Sequence, residues 1–260
     1  AFDVGTITLG EYAVNVLGQP NFDTSAAGAG QAGLNLTTSD PDIGVAFDGD
    51  GDRVRFVAET GEAISGDLIV AYLAEAMLRD NPDEKIIHDI VPRGSRAVPE
   101  IIKEAGGIGI QSRVGHAFFK QAMRKEHALF GGERSGHYYY RSFFHAESAL
   151  LTFLYVAQYL SQKNASFRDC MVPYMRYFSS GEVNVAVADK DKAIDAVVTH
   201  FKDAKEVTYL DGVSITYDDF WFNVRPSNTE PLLRITVEAK EKDVLAARLR
   251  EVLSLAEKES

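Results

Sequence analysis

The sequence predicts an α/β domain followed by a smaller α+β domain, and three observations carry that prediction. Between residues 63 and about 170, strand-length apolar runs alternate with amphipathic helical stretches, the β-α-β-α order of a mostly parallel sheet covered by helices. Past Pro173 the texture changes to closely spaced alternating runs, the pattern of an antiparallel sheet. Three aspartates alternate with glycines directly after a buried strand, where α/β sheets open their ligand clefts.

Residues 1 to about 42 are the least readable: Ala1 to Leu17 has room for a strand and a short helix, and Asn21 to Asp40 reads as loop. Ile43 to Phe47 is a buried strand, and Val54 to Ala58 is its neighbour. Asp67 starts a helix through Arg79, stopped near Asn81-Pro82. Lys85 to Ile90 is a strand, and Ser95 caps a helix that Gly106-Gly107 closes. Ile108 to Gln111 is a strand, Gly115-His116 opens a helix through Lys125, and Ala128 to Phe130 is a short strand. Tyr138 to Arg141 reads as a strand and Ala146 to Leu160 as an apolar helix. In the last domain, Gly181–Val187, Val207–Leu210, Val213–Tyr217, Trp221–Val224 and Leu233–Glu238 read as strands. Asp189–Phe201 and Asp243–Glu257 read as helices, with Asp211-Gly212 a hairpin-turn signal.

The 260 residues, with 45% hydrophobic and 25% charged content, are ordinary for a soluble globular chain of two or three domains. A formal net charge of −11 argues against a nucleic-acid or anionic-membrane surface. Cys170 is the single cysteine, so no internal disulfide is available and a reducing cytoplasm is expected. No run suits a bilayer span or a signal peptide. The first residue is Ala1 and not Met, which suggests a processed or truncated piece.

Chemistry concentrates first in Asp48-Gly49-Asp50-Gly51-Asp52-Arg53. Like charges held this close call for a cation, and hard oxygen ligands suit Mg²⁺ or Ca²⁺. An EF-hand would place Glu59 at loop position twelve but needs Gly at position six, where Arg53 stands, and the flanks alternate like strands. An Asp-nucleophile phosphatase fits the strand but not the third Asp. A Mg²⁺ loop of a phosphoryl-transfer enzyme, with Arg53 beside the phosphate, fits both. A solvated acidic turn is the bland alternative.

Gly132-Glu133-Arg134-Ser135-Gly136-His137 offers an acceptor, a hydroxyl and an imidazole, a set suited to sugar hydroxyls and to moving a proton. His116, at a helix start, would be held neutral by the dipole and could accept a proton, or it simply caps the helix. Arg225-Pro226-Ser227-Asn228-Thr229-Glu230-Pro231 lies between two strands and reads equally as a phosphate cradle or a polar hairpin loop. Ser95-Arg96 could bind an anion at its helix start. Tyr138-Tyr139-Tyr140 and Trp221 read as packing.

Four motifs stand in order: FDGDGDRV (47–54), RVGHAFFK (113–120), GGERSGHYYYR (131–141) and RPSNTEPLLR (225–234). Together, from about residue 41 onward, they resemble the bacterial α-D-phosphohexomutases, above all the phosphomannomutase/phosphoglucomutase group. The resemblance implies a remnant of domain two over 1–62 ending in the metal loop. It implies a three-layer α/β sugar-recognition domain three with a mixed or mostly parallel sheet over 63–172, and an antiparallel α+β phosphate-binding domain four over 173–260. It implies Mg²⁺ on Asp48, Asp50 and Asp52, and catalytic roles for Arg53, His116 and His137. Sugar contacts would come from Glu133 and Ser135, and a phosphate clamp from Arg225, Ser227, Asn228, Thr229 and Arg234. It implies an isomerase of the intramolecular phosphotransferase kind, a phosphoprotein of carbohydrate metabolism. Such an enzyme interconverts the 6- and 1-phosphates of mannose or glucose through a hexose 1,6-bisphosphate. The family's phosphoserine sits in a Thr-x-Ser-His-Asn-Pro-like loop that this sequence lacks, since Thr24-Ser25-Ala26-Ala27 has no such context. The chain alone is therefore expected to be inactive, with the missing N-terminal domain as a partner. A non-catalytic sugar-phosphate-binding protein and the phosphatase remain the alternatives.

Overall fold

The computed structural model describes residues 42–89, 95–113, 115–227 and 229–257. The readings of residues 1–40, and the positions Val114 and Asn228, lie outside the described residues. The chain divides into two compact units: residues up to His88 with Val98–Tyr174, and Asp89–Ala97 with Met175 onward. Among the described residues no helix is long and apolar enough to cross a membrane.

In the first unit, β1 (Ile43–Phe47) and β2 (Val54–Ala58) pair antiparallel from Ile43↔Ala58 to Phe47↔Val54. That register leaves residues 48–53 as the loop between them. A short β3 (Ala63–Ile64) extends this sheet. The helix expected from Asp67 is α1 (Gly66–Asp80). Its N-cap Ser65 makes no side-chain capping bond, a loss of about 1 kcal/mol. Ile69, Val70, Leu73, Met77 and Leu78 are buried along it, and each such side chain is worth roughly 1.5–3 kcal/mol, so packing decides the helix.

The main sheet runs β5-β4-β6-β7-β8, with β4 (Lys85–Asp89), β5 (Ile108–Ser112), β6 (Phe130–Gly132), β7 (Tyr138–Tyr140) and β8 (Ala146–Glu147). It is mixed: β4 and β6 are parallel, while β6, β7 and β8 are antiparallel. Helices α2 (Ala97–Glu104), α3 (His116–Glu126), α4 (Ala149–Ser161) and the short α5 (Phe167–Met171) complete the described α-helices of this region. Two adjacent glycines let α1 and α3 approach the sheet from opposite sides. A Cβ on Gly131 would stand 2.9 Å from Met123 Sδ of α3, and one on Gly132 would stand 2.4 Å from Val70 Cγ2 of α1. Side chains alternate across a strand, so these contacts mark the two covered faces. Ile87, Phe119, Met123, Ala128 and Tyr139 form the core on the α3 side, with Phe119 stacked on Tyr139 at 5.2 Å.

The helix expected from Ala146 starts three residues later. Ala146 and Glu147 pair with Tyr140 and Tyr139, and Ser148 caps α4 by accepting a hydrogen bond from Leu151 N. Sheet pairing plus a serine cap outweighs the favourable helix propensity of Ala146 and Glu147, a weak preference that tertiary context overrides.

In the second unit the sheet is antiparallel, ordered β10-β11-β12-β13-β9. The strands are β9 (Phe178–Ala186), β10 (Glu206–Thr208), β11 (Val213–Thr216), β12 (Phe220–Pro226) and β13 (Leu232–Ala239). Helices α6 (Lys190–His200) and α7 (Lys242–Glu257) cover one face over Phe222, Val224, Ile235 and Val237. Residues 209–212 connect β10 to β11, so Asp211-Gly212 belongs to a longer connection than the two-residue turn expected. On the other face Trp221 packs edge-on to Tyr177 at 4.8 Å, with the Arg96 guanidinium 5.8 Å from its ring centre. Ser95 does not present an open anion site. Its Oγ and the Arg96 N–H both lie 3.3 Å from Glu238 Oε2, so a carboxylate of the fold itself sits there.

Candidate active site

The β1–β2 register turns the chain around residues 48–53 and gathers the three aspartates. One carboxylate oxygen from each of Asp48, Asp50 and Asp52 lies within 4.8 Å of the others. Hard oxygen donors in this number fit Mg²⁺ or Ca²⁺. Asp48 is the organiser: its Oδ1 accepts from Gly51 N at 3.1 Å and Arg53 N at 3.2 Å, and its Oδ2 accepts from Arg53 Nε at 2.5 Å. Burial pushes the Asp48 carboxyl up, but the hydrogen bonds and charge of Arg53 outweigh it and hold the group below its ordinary value. Asp52 goes the other way, raised by burial and by the Asp48 and Asp50 charges against the pull of His137 and Arg53.

The glycine-rich loop after β6 is tied to this hairpin. Val54 N donates to Gly136 O at 3.1 Å, and Arg55 donates to Arg134 O at 2.7 Å. Gly136 has φ +100, and a Cβ there would stand 2.9 Å from Val54 O, so this close approach requires glycine. The tie brings His137 Nε2 to 3.5 Å from Asp52 Oδ2. His116, exposed at the first turn of α3, stands with its ring 5.5 Å from that of His137.

Glu133 is only 2% exposed, and its carboxylate is already engaged. Oε1 accepts from Gly115 N at 3.2 Å, while Oε2 accepts from Tyr139 Oη at 2.7 Å and lies 3.2 Å from His137 Nδ1. Burial raises the Glu133 carboxyl, yet bonds from His137, Tyr139 and Gly115 bring it below its ordinary value. Burial lowers His137, but Glu133 and Asp52 outweigh that and raise its pKa. Ser135 Oγ is 2.8 Å from His137 Nδ1. The sequence offers Glu133 as an acceptor suited to a sugar hydroxyl. Here it orients His137 and uses three of its roughly four lone-pair sites. Tyr139, read as packing, contributes a hydroxyl to this network as well as its ring.

In the second unit, Arg225 on β12 and Arg234 on β13 are cross-strand partners. Like charges opposite one another repel, and Glu182 of β9 relieves them. Its Oε2 accepts from Arg225 at 2.5 Å and its Oε1 lies 3.5 Å from Arg234. Ser227 is buried and its Oγ has no hydrogen-bond partner, as has Arg234 Nε. Thr229 is exposed. Two guanidinium groups on paired strands, held by one carboxylate, suit an anionic ligand of phosphate type. Motif reading passed over Glu182, because its partner Arg225 lies 43 residues away in sequence.

Comparison with known proteins finds matches along both parts of the chain. Residues 65–177 match the phosphoglucomutase/phosphomannomutase α/β/α domain III, and residues 182–255 match the C-terminal domain of the same proteins. The chain is 41% identical over 217 residues to a phosphomannomutase of Methanocaldococcus jannaschii, covering 84% of this chain and 48% of that protein. It is 42% identical over 217 residues to a phosphomannomutase of Escherichia coli, covering 82% and 47%. The chain thus spans about half the length of the curated relatives it matches. A crystal structure of a phosphoglucomutase/phosphomannomutase family protein from Burkholderia thailandensis superposes with TM-score 0.72 at 29% identity, over 83% of this chain and 47% of that one. An acidic loop tied to a histidine loop in one unit, a paired-arginine turn in the next and two successive matched domains make this chain a member of the phosphoglucomutase/phosphomannomutase family.

Proposed function

We propose that the chain supplies the metal, sugar and distal-phosphate elements of a mutase that interconverts hexose 6-phosphate and hexose 1-phosphate through a bisphosphate. The family membership and the tie between the aspartate loop and the His137 loop support this reading. Residues 1–62 would close a preceding domain, 63–172 recognise the sugar and 173–260 hold phosphate. The substrate would be a mannose or glucose phosphate, with the hexose 1,6-bisphosphate as activator.

Asp48, Asp50 and Asp52 would hold Mg²⁺, whose charge would offset that of the transferring phosphoryl group. Arg53, now on Asp48, would donate to a phosphoryl oxygen once a cation takes over that carboxylate. His137, oriented and kept basic by Glu133, would carry a proton at Nε2 toward the leaving or attacking oxygen. His116 would assist from the exposed side. Ser135 would meet a sugar hydroxyl, and Glu133 would do so with its remaining lone pair. Arg225, Ser227, Asn228, Thr229 and Arg234 would clamp the distal phosphate.

The Asp-nucleophile alternative is disfavoured by Asp48 itself, whose two oxygens accept three hydrogen bonds and leave little freedom to attack. The sequence contains no Thr-x-Ser-His-Asn-Pro loop, so we propose that these 260 residues bind sugar phosphate without turning it over. Calorimetry with glucose 6-phosphate and Mg²⁺, beside a mutase assay with added bisphosphate, tests this. Binding without turnover is expected. Appreciable turnover would refute the missing-nucleophile claim, and absence of binding would refute the site.

A further inference from the structure

We infer that Asp52, His116 and His137 form a second metal site, one that takes a first-row transition ion such as Zn²⁺. One ligand atom from each of the three lies within 4.8 Å of the others. His137 Nε2 and Asp52 Oδ2 stand 3.5 Å apart. Two ligands each about 2.1 Å from one tetrahedral ion are themselves about 3.4 Å apart, so this pair needs almost no rearrangement.

The surroundings of His137 carry the inference beyond proximity. Its Nδ1 faces the Glu133 carboxylate at 3.2 Å and the Ser135 hydroxyl at 2.8 Å. A carboxylate at Nδ1 keeps the proton there, so Nε2, which faces Asp52, is the atom left to coordinate once it gives up its own proton to the incoming ion. This is the carboxylate–histidine arrangement that orients metal-ligating imidazoles. Glu133 is in turn fixed by Tyr139 and Gly115. His116 is exposed and can swing its ring without disturbing the core. Three protein ligands leave the fourth position to water or a small anion.

Donor chemistry separates this site from the aspartate trio. Three carboxylates select Mg²⁺ or Ca²⁺, whereas two imidazoles and one carboxylate select Zn²⁺, Co²⁺ or Ni²⁺. Asp52 belongs to both groups, so Zn²⁺ and Mg²⁺ are coupled through it. The inference rests on three side chains of one unit and not on the mutase reading.

The test uses the whole chain, Co²⁺ as a visible-absorption probe competed by Zn²⁺, and calorimetry for Mg²⁺. The expected result is a tetrahedral-type Co²⁺ band that Zn²⁺ abolishes. His116→Gln should weaken Co²⁺ on the order of 100-fold with Mg²⁺ unchanged, and Glu133→Gln should weaken it about 10- to 100-fold. Asp50→Asn should weaken Mg²⁺ and move Co²⁺ less than about twofold, since Asp50 belongs to the oxygen site alone. No Co²⁺ band, or a band weakened by Asp50→Asn and indifferent to His116→Gln, overturns the proposal and assigns the ion to the trio. His116 is exposed, so its variant should fold, and a thermal melt verifies that. Failure to bind sugar phosphate would sink the proposed function and leave this site standing.

Discussion

The acidic hairpin of the first unit and the paired-arginine turn of the second are mirror images in charge. Each gathers like charges on adjacent strands or their connection, and each carries one internal counter-ion. Arg53 neutralises Asp48 in the first; Glu182 bridges Arg225 and Arg234 in the second. Concentrated charge costs stability unless it is paired, so a binding site awaiting a charged ligand holds a substitute until the ligand comes. The two loops differ in what fixes them. The hairpin depends on a backbone tie to another loop, while the arginines depend on sheet register.

The largest expected effect falls on the basic side. Arg225→Ala removes a fork from the anion pair, and charge-assisted hydrogen bonds are worth roughly 1.5–3 kcal/mol each. Inorganic phosphate or glucose 6-phosphate should bind about 10- to 100-fold more weakly by calorimetry, with Mg²⁺ affinity unchanged. An unchanged phosphate affinity would remove this turn from the site. On the acidic side the matching break is Gly136→Ala. With φ +100 and Val54 O 2.9 Å from the new Cβ, it should cost about 1–3 kcal/mol in urea unfolding. A cost under about 0.5 kcal/mol would mean the two loops are not held by this approach.

The counter-ions give a finer, reciprocal test. Arg53→Ala should tighten Mg²⁺ and Glu182→Ala should tighten phosphate, each by about three- to tenfold, because the ligand no longer displaces a partner. Each change should leave the other ligand alone. If either variant weakens its own ligand, that residue is a positioning group and not a substitute.

Much of this was legible in the sequence because it is local. The aspartates, their glycines and the flanking apolar strands lie within sixteen residues, Ile43 to Ala58, and the strands occur where periodicity places them. Helices α1, α3, α6 and α7 likewise begin within one or two residues of their signals. What stayed hidden is non-local. Nothing near Ala146–Glu147 announces that Tyr139 and Tyr140 will claim them as a strand. Glu182 becomes the partner of Arg225 only through the β9-β13-β12 order, and Ser95 meets Glu238 across 143 residues. Glu133 reads as a free carboxylate until the fold delivers Tyr139, Gly115 and His137 to it.

A structural ion pair that belongs to neither loop supplies the control and the smallest effect. Arg141 grips Glu84 with two parallel bonds, at 2.9 and 2.8 Å. The Arg141 hydrogen bonds hold the Glu84 carboxyl below its ordinary value despite a small opposing effect of burial. A carboxyl depressed in the folded state stabilises above its unfolded value of 4.5. That contribution is lost as pH falls through the lower folded value. Both side chains are partly exposed, so the pair is worth under about 1 kcal/mol. Arg141→Ala should return the Glu84 midpoint, followed by carboxyl NMR, to about 4.5, and the stability difference from wild type should shrink as pH drops below that value. Phosphate and Mg²⁺ affinities should not move, because no ligand competes for this pair. If removing Arg141 tightened Mg²⁺, the gain at Arg53 would reflect net charge alone, and that counter-ion would lose its special place in the comparison.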